Sequence, residues 1–122
     1  MRWPDLSHYN GFYLTHYSEW TERIRIDDYT GWKSKDAIDF SSLKALQEIV
    51  IGRCCFQLSR ACLFCGLPNL RSIQINRKCF ICSKGTLVIK DCKQLSSIVI
   101  DSNCFTCFAL AMKSTLNVLR QG

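Results

Sequence analysis

"LRSIQINRKCF", residues 70–80, is a phrase that the chain writes three times with variations. Residues 46–56 read "LQEIVIGRCCF" and residues 95–105 read "LSSIVIDSNCF". Each copy sets down a Leu, an Ile three positions on, a second Ile five on, a Cys nine on and a Phe ten on. Two β-branched side chains flanking a single residue mark a short strand whose Ile pair faces one side. Leu46, Leu70 and Leu95 turn the chain toward that same core. A polar turn follows each strand ("GR", "NRK", "DSN"), and Phe56, Phe80 and Phe105 lie beyond it, placed to close the far side.

Working outward from this phrase, the apolar pairs Leu43/Leu46, Leu67/Leu70, Cys92/Leu95 and Leu116/Leu119 recur at spacings of 24, 25 and 24 residues. Stepping back 25 residues from Ile49/Ile51 reaches Ile24/Ile26 in "RIRIDD", so a degenerate first copy begins near Trp20. A second alternating stretch belongs to each copy: "AIDF" (37–40), "ACLFC" (61–65), "TLVIKD" (86–91) and, less regularly, "FALAMK" (108–113). One such copy cannot bury its own apolar face. Stacked copies can, with Leu on Leu and Ile on Ile at a strand spacing of roughly 4.8 Å. The expected fold is therefore a β-rich solenoid of coils of about 24–25 residues with short parallel strands. The domain reading is residues 1–19 as an N-terminal cap or tail, aromatic-rich through Trp3, Tyr9, Phe12, Tyr13 and Tyr17, then residues 20–122 as about four coils with a truncated last one.

A period of about 20–29 residues with an L-x-x-L-x-L character is the signature of leucine-rich repeats. On the residues "LPNLRSIQINRKCF" (67–80) and "CKQLSSIVIDSNCF" (92–105) the chain resembles the BspA-like subclass of leucine-rich repeat proteins. The usual Asn column is replaced by Gly52-Arg53, Asn76-Arg77 and Asp101-Ser102, which favours the flatter BspA-like coil over the horseshoe turn. The resemblance implies a right-handed solenoid that binds other macromolecules, and no enzyme.

Length and composition agree with one small domain: 122 residues, 48% hydrophobic and 21% charged. No apolar run reaches transmembrane length, and the N-terminal "MRWPDLSHYNGFYLTHYSEW" has no apolar core of a secretory signal. The expected location is cytoplasmic, or extracellular if the chain is a fragment of a longer secreted or surface protein. A fragment is also what the unfinished coil after "LNVL" (116–119) suggests. The net charge of +6 is uneven: residues 1–45 hold six Lys/Arg against seven Asp/Glu, and residues 46–122 hold ten against three.

Nine cysteines include three C-x-x-C motifs, Cys62/Cys65, Cys79/Cys82 and Cys104/Cys107. Such pairs suit zinc when the loop between them allows a knuckle. Here the register points elsewhere. Cys55, Cys79 and Cys104 form one repeat column before the Phe, Cys82 and Cys107 form a second, and Cys62 and Cys65 sit in the following strand. Small thiols packed in buried corners are expected, with no metal or cofactor. Stacking would bring Cys79 and Cys104 to about 5 Å, within disulfide reach, a pairing expected only in a piece of a secreted protein. His8 and His16 read as surface residues of the N-terminal segment, and Asp27, Asp28, Asp36 and Asp39 as turn and strand-end acids. No phosphate loop, nucleophile elbow or zinc-protease motif occurs.

The leading functional expectation is a non-catalytic protein-interaction module, because outward positions on stacked strands can vary without touching the core. The candidate protein-binding face is Arg25, Glu48, Val50, Ser72, Gln74, Ser97 and Val99, a mixed and little-charged stripe. The rival expectation is nucleic acid or anionic membrane held by Arg53, Arg60, Arg71, Arg77, Lys78, Lys84, Lys90 and Lys93. A third is a purely structural repeat segment of a larger protein.

Overall fold

The protein is described from a computed structural model in which residues 17–81, 85–101, 104, 108–113 and 120–121 are placed. Among the described residues nine strands follow one another: β1 (Arg23–Ile26), β2 (Ile38–Asp39), β3 (Glu48–Ile51), β4 (Ala61–Cys65), β5 (Ser72–Ile75), β6 (Gly85–Lys90), β7 (Ser97–Ile100), β8 (Phe108–Lys113) and β9 (Arg120–Gln121). Among the described residues there is no helix, and so none long and apolar enough to cross a membrane. Odd-numbered strands form one parallel sheet in the order β1-β3-β5-β7-β9, and even-numbered strands form a second in the order β2-β4-β6-β8. The chain thus alternates between two sheets and adds one strand to each per repeat.

The register is the one the repeated phrase requires. Ile26 pairs with Ile51, Ile51 with Ile75 and Ile75 with Ile100. In the second sheet Ile38 pairs with Cys62, Cys62 with Leu87 and Phe64 with Ile89. Each of the four "I-x-I" strands buries both Ile and turns the residue between them outward. The core between the sheets is a set of files: Leu43, Leu67 and Cys92; Leu46, Leu70 and Leu95; Phe40 and Phe64; Phe56 and Phe80. The Phe40 and Phe64 rings stack at 5.0 Å and those of Phe56 and Phe80 at 5.5 Å, so each ring covers the one in the next repeat. Burying an aliphatic side chain contributes about 1.5–3 kcal/mol. Files of them, repeated by every strand, outweigh the marginal pairing of any single short strand.

Two features of the turns explain how a four-residue strand gives way so abruptly. First, Leu46, Leu70 and Leu95 each donate a backbone N–H to the carbonyl three residues earlier, at Leu43, Leu67 and Cys92. This tight turn aims both apolar side chains inward before the strand starts. Second, left-handed backbone recurs in register after the strand, at Tyr29, Cys54 and Lys78, and again at Gly31, Phe56 and Phe80. For non-glycine residues that geometry costs roughly 1–2 kcal/mol each. Bonds between repeats offset the cost: Tyr29 N–H donates to the Arg53 carbonyl at 2.8 Å, Cys54 N–H to the Arg77 carbonyl at 3.0 Å, and Phe56 N–H to the Thr30 carbonyl at 3.0 Å.

The last repeat departs from the expected period. Gly85 pairs with Phe108, an offset of 23, and Val99 pairs with Arg120, an offset of 21. By that register β9 arrives earlier than a continued 24-residue step would bring it. The expected continuation of the apolar pair through Leu116 and Leu119 lies outside the described residues. So do residues 1–16, most of the segment expected to be an N-terminal cap or tail; Tyr17 packs half-buried against the core.

Candidate interaction face

Because β1, β3, β5 and β7 pair in register, their outward residues form two straight rows. One row runs Arg25, Val50, Gln74, Val99, and the other Arg23, Glu48, Ser72, Ser97. All seven residues singled out from the sequence therefore lie on one surface, the outer face of the five-stranded sheet. Arg25, Glu48 and Gln74 are exposed, Val50, Ser72 and Ser97 are half-buried among their neighbours, and Val99 is 42% exposed. Arg23 is an eighth member that the sequence reading missed, although its place two residues before Arg25 puts it on the same face. Its Nε lies 3.3 Å from Glu48 Oε2, a cross-strand ion pair that ties the ends of β1 and β3. The face thus grades from charged at β1 to uncharged at β7.

Where these strands end, Arg25, Ile26, Asp27, Asp28, Val50, Gly52 and Asn76 enclose an open hollow of about 380 Å³. Its floor depends on Gly52. A Cβ there would stand 2.6 Å from Asp28 Oδ1, 2.7 Å from the Ile26 carbonyl and 2.8 Å from the Asp28 nitrogen. Gly52 is required by this close approach of two strands. One repeat later Asn76 fills the same column, and its Nδ2 donates to the Ile51 carbonyl at 3.0 Å.

On the rim, Asp28 Oδ1 accepts the Arg53 backbone N–H at 2.7 Å and Oδ2 accepts Arg53 Nη2 at 3.1 Å. The backbone bond first, and then the guanidinium, hold the Asp28 carboxyl below the usual carboxylate range. The same carboxylate raises the Arg53 guanidinium. A lowered folded value means that this contribution is complete above the ordinary pKa of 3.8 and is lost as pH falls through the lowered value. Both partners are exposed, so the effect is small and salt-sensitive. Wild type and Asp28→Asn are expected to differ modestly in unfolding midpoint at neutral pH and low salt, and to converge as pH falls through the lowered Asp28 value. Urea titrations at several pH values measure this, and a constant difference down the whole series contradicts it.

Among the described residues Cys54, Cys55, Cys62, Cys65, Cys79, Cys92 and Cys104 are free thiols. Three of them repeat one hydrogen bond. Cys55 Sγ donates to the Asp27 carbonyl at 3.0 Å, Cys79 Sγ to the Gly52 carbonyl at 3.0 Å and Cys104 Sγ to the Asn76 carbonyl at 2.8 Å. Each acceptor follows the second Ile of the preceding repeat, so the thiol column fastens each turn to the strand end below it. Cys92 does the same on the other side, to the Phe64 carbonyl at 3.3 Å. Burial pushes the Cys62 thiol well up and raises that of Cys92. Cys62 and Cys65 lie three apart on β4, so they point to opposite faces, with Cys62 buried and Cys65 half-buried. The other two C-x-x-C motifs include Cys82 and Cys107, outside the described residues. Among the described residues no three His, Cys, Asp or Glu side chains converge as a metal site would need.

Of the remaining residues weighed from the sequence, Asp27 and Asp28 sit in the turn after β1, and Asp39 ends β2, where its Oδ1 accepts the Ser41 N–H at 2.9 Å. Arg53, Arg60, Arg71, Arg77, Lys78, Lys90 and Lys93 are all exposed, and of these Arg53 is engaged by Asp28. His8, His16 and Lys84 lie outside the described residues. No family model, no curated protein and no solved structure matches the chain.

Proposed function

We propose that the chain is a leucine-rich-repeat-like solenoid of the BspA-like kind and that it serves as a non-catalytic protein-interaction module. The observation that carries this reading is the pair of in-register rows on the outer face of the first sheet. Behind them the Ile columns are fixed by burial. In front, the same positions hold Arg, Val, Gln and Val in one row and Arg, Glu, Ser and Ser in the other. An ordered backbone displaying variable side chains at regular spacing is a binding surface whose specificity can change without loss of fold. Apolar Val50 and Val99 supply contact area, and Arg23, Arg25, Glu48 and Gln74 supply directional bonds.

The test is a peptide-display selection against the folded chain. Selected ligands are expected to lose about tenfold or more in affinity on Val50→Glu or Val99→Glu. They should be indifferent to Arg60→Glu and Lys93→Glu, which lie off that sheet. If instead oligonucleotides or anionic vesicles bind, with affinity falling steeply as salt rises and abolished by the Arg60 and Lys93 changes, the basic surface is the working site and the reading fails.

A further inference from the structure

We infer that Cys79 and Cys104 form a dithiol that small-molecule disulfides oxidise to a bond between neighbouring repeats. The inference does not rest on the interaction reading. Both residues stand four places past the second Ile of their strands, and those Ile residues, Ile75 and Ile100, are paired directly in register. Neighbouring parallel strands are about 4.8 Å apart. Carried from the paired Ile residues to the two thiols, that spacing falls inside the roughly 4.4–6.8 Å between Cα atoms that a disulfide spans. Each thiol makes the same bond to the carbonyl one repeat back, at 3.0 Å for Cys79 and 2.8 Å for Cys104. Both side chains therefore lean the same way, and the Cys104 sulfur is carried toward the repeat that holds Cys79.

The two thiols differ in access and in acidity, as a nucleophile and its resolving partner should. Cys104 is half-buried and Cys79 is fully buried. A hydrogen bond from the Cys79 side chain is the largest influence lowering the Cys104 thiol, and the interactions of Cys79 with Cys104 and Cys55, followed by burial, raise that of Cys79. When Cys104 is ionised, the Cys79 S–H can turn from the Gly52 carbonyl to the Cys104 thiolate.

The chemistry is two thiol–disulfide exchanges. The Cys104 thiolate attacks one sulfur of the small disulfide, the oxidant's S–S bond breaks, and one small thiolate leaves and takes a proton. Cys79 then gives up its proton and attacks Cys104 Sγ of the mixed disulfide. The second small thiolate leaves and is protonated in turn. Two protein thiols are oxidised, one small disulfide is reduced to two thiols, and the protons released by Cys104 and Cys79 match those taken up. Neither sulfur of the product can donate to the Gly52 or Asn76 carbonyl, so oxidation exchanges two thiol–carbonyl bonds for one covalent tie.

The experiment treats the folded, fully reduced chain with glutathione disulfide, quenches with acid, alkylates the remaining thiols and maps the peptides. The expected product is a Cys79–Cys104 link, formed about tenfold or more faster than any other internal pair and reversed by reduced glutathione. Cys79→Ser, which keeps a donor for the Gly52 carbonyl, should stop at a stable mixed disulfide on Cys104. Cys104→Ser should leave Cys79 reduced. Wild type that keeps Cys79 reduced, retains the mixed disulfide on Cys104, or links either residue preferentially to Cys55, Cys82 or Cys107 overturns the inference. The wild-type peptide map is decisive without the variants, so a variant that fails to fold does not shield the inference.

Discussion

Ile75→Asp is expected to abolish cooperative folding, while Gln74→Asp, one residue away, leaves the melting temperature nearly unchanged. Ile75 is fully buried in the file of Ile26, Ile51 and Ile100, and its strand neighbours on both sides are Ile. A carboxylate there has no partner within the core. Leaving a charge buried and unpaired costs on the order of 4 kcal/mol or more. That is a large part of the roughly 5–15 kcal/mol that keeps a domain folded. Gln74 points out of the same strand and is exposed. Its Nε2 donates to Asn76 Oδ1 at 3.4 Å, on the exposed face. Replacing it changes little beyond about 0.5 kcal/mol. Thermal melts by circular dichroism compare the two, and equal losses would mean that the inside and outside of β5 have been exchanged.

Gly52→Ala is the second large expected effect, out of proportion to a single methyl group. Two of the three atoms nearest the added carbon are backbone, the Ile26 carbonyl oxygen at 2.7 Å and the Asp28 nitrogen at 2.8 Å. Neither can withdraw without moving the end of β1. The Gly52 N–H also donates to that same Ile26 carbonyl at 2.8 Å, so relief of the clash strains the bond that joins the two repeats. Overpacking of this kind costs about 1–3 kcal/mol. Trimming the flexible contact with Asp28→Ala should not rescue it, because the backbone contacts remain. Gly66→Ala is the informative comparison. Its backbone is left-handed at φ 64°, but the added carbon would meet only Lys44 Nζ at 3.3 Å, so a cost of about 1 kcal/mol is expected. Chemical denaturation of the three variants gives the ranking, and a Gly52→Ala protein as stable as wild type would show that the repeats stand farther apart than described.

The strand architecture was legible because burial selects residue type. Where both sides of a position are covered by the same position in adjacent repeats, Ile, Leu and Phe recur, and their recurrence marked both the "I-x-I" strands and the second set at "AIDF", "ACLFC" and "TLVIKD". The outward stripe followed by alternation alone, and Arg23 could have been read with it. What was hidden is what residue identity does not encode. The left-handed turns at Tyr29, Cys54, Phe56, Lys78 and Phe80 fall on residues with no preference for that geometry, so "GR" and "NRK" announced a turn without its shape. The cysteine column read as small packing side chains, whereas its thiols are donors to the carbonyls after the preceding strand. Gly52 read as part of a polar turn, whereas it marks the place where two strand ends touch. The shortened step to β9 has no sequence signal either, since the Leu pair at 116 and 119 continues the 24-residue spacing while the strand pairs at 21.

The most direct measurement is a set of methyl–methyl nuclear Overhauser contacts in protein labelled at the Ile δ1 positions. Neighbours within the file, about 5 Å apart, should give strong cross-peaks between Ile51 and Ile75 and between Ile75 and Ile100. None should join Ile51 directly to Ile100, about twice as far apart. A spectrum in which Ile75 contacts neither Ile51 nor Ile100 would contradict the stacking of residues 24 and 25 positions apart, and with it the face built on that stack.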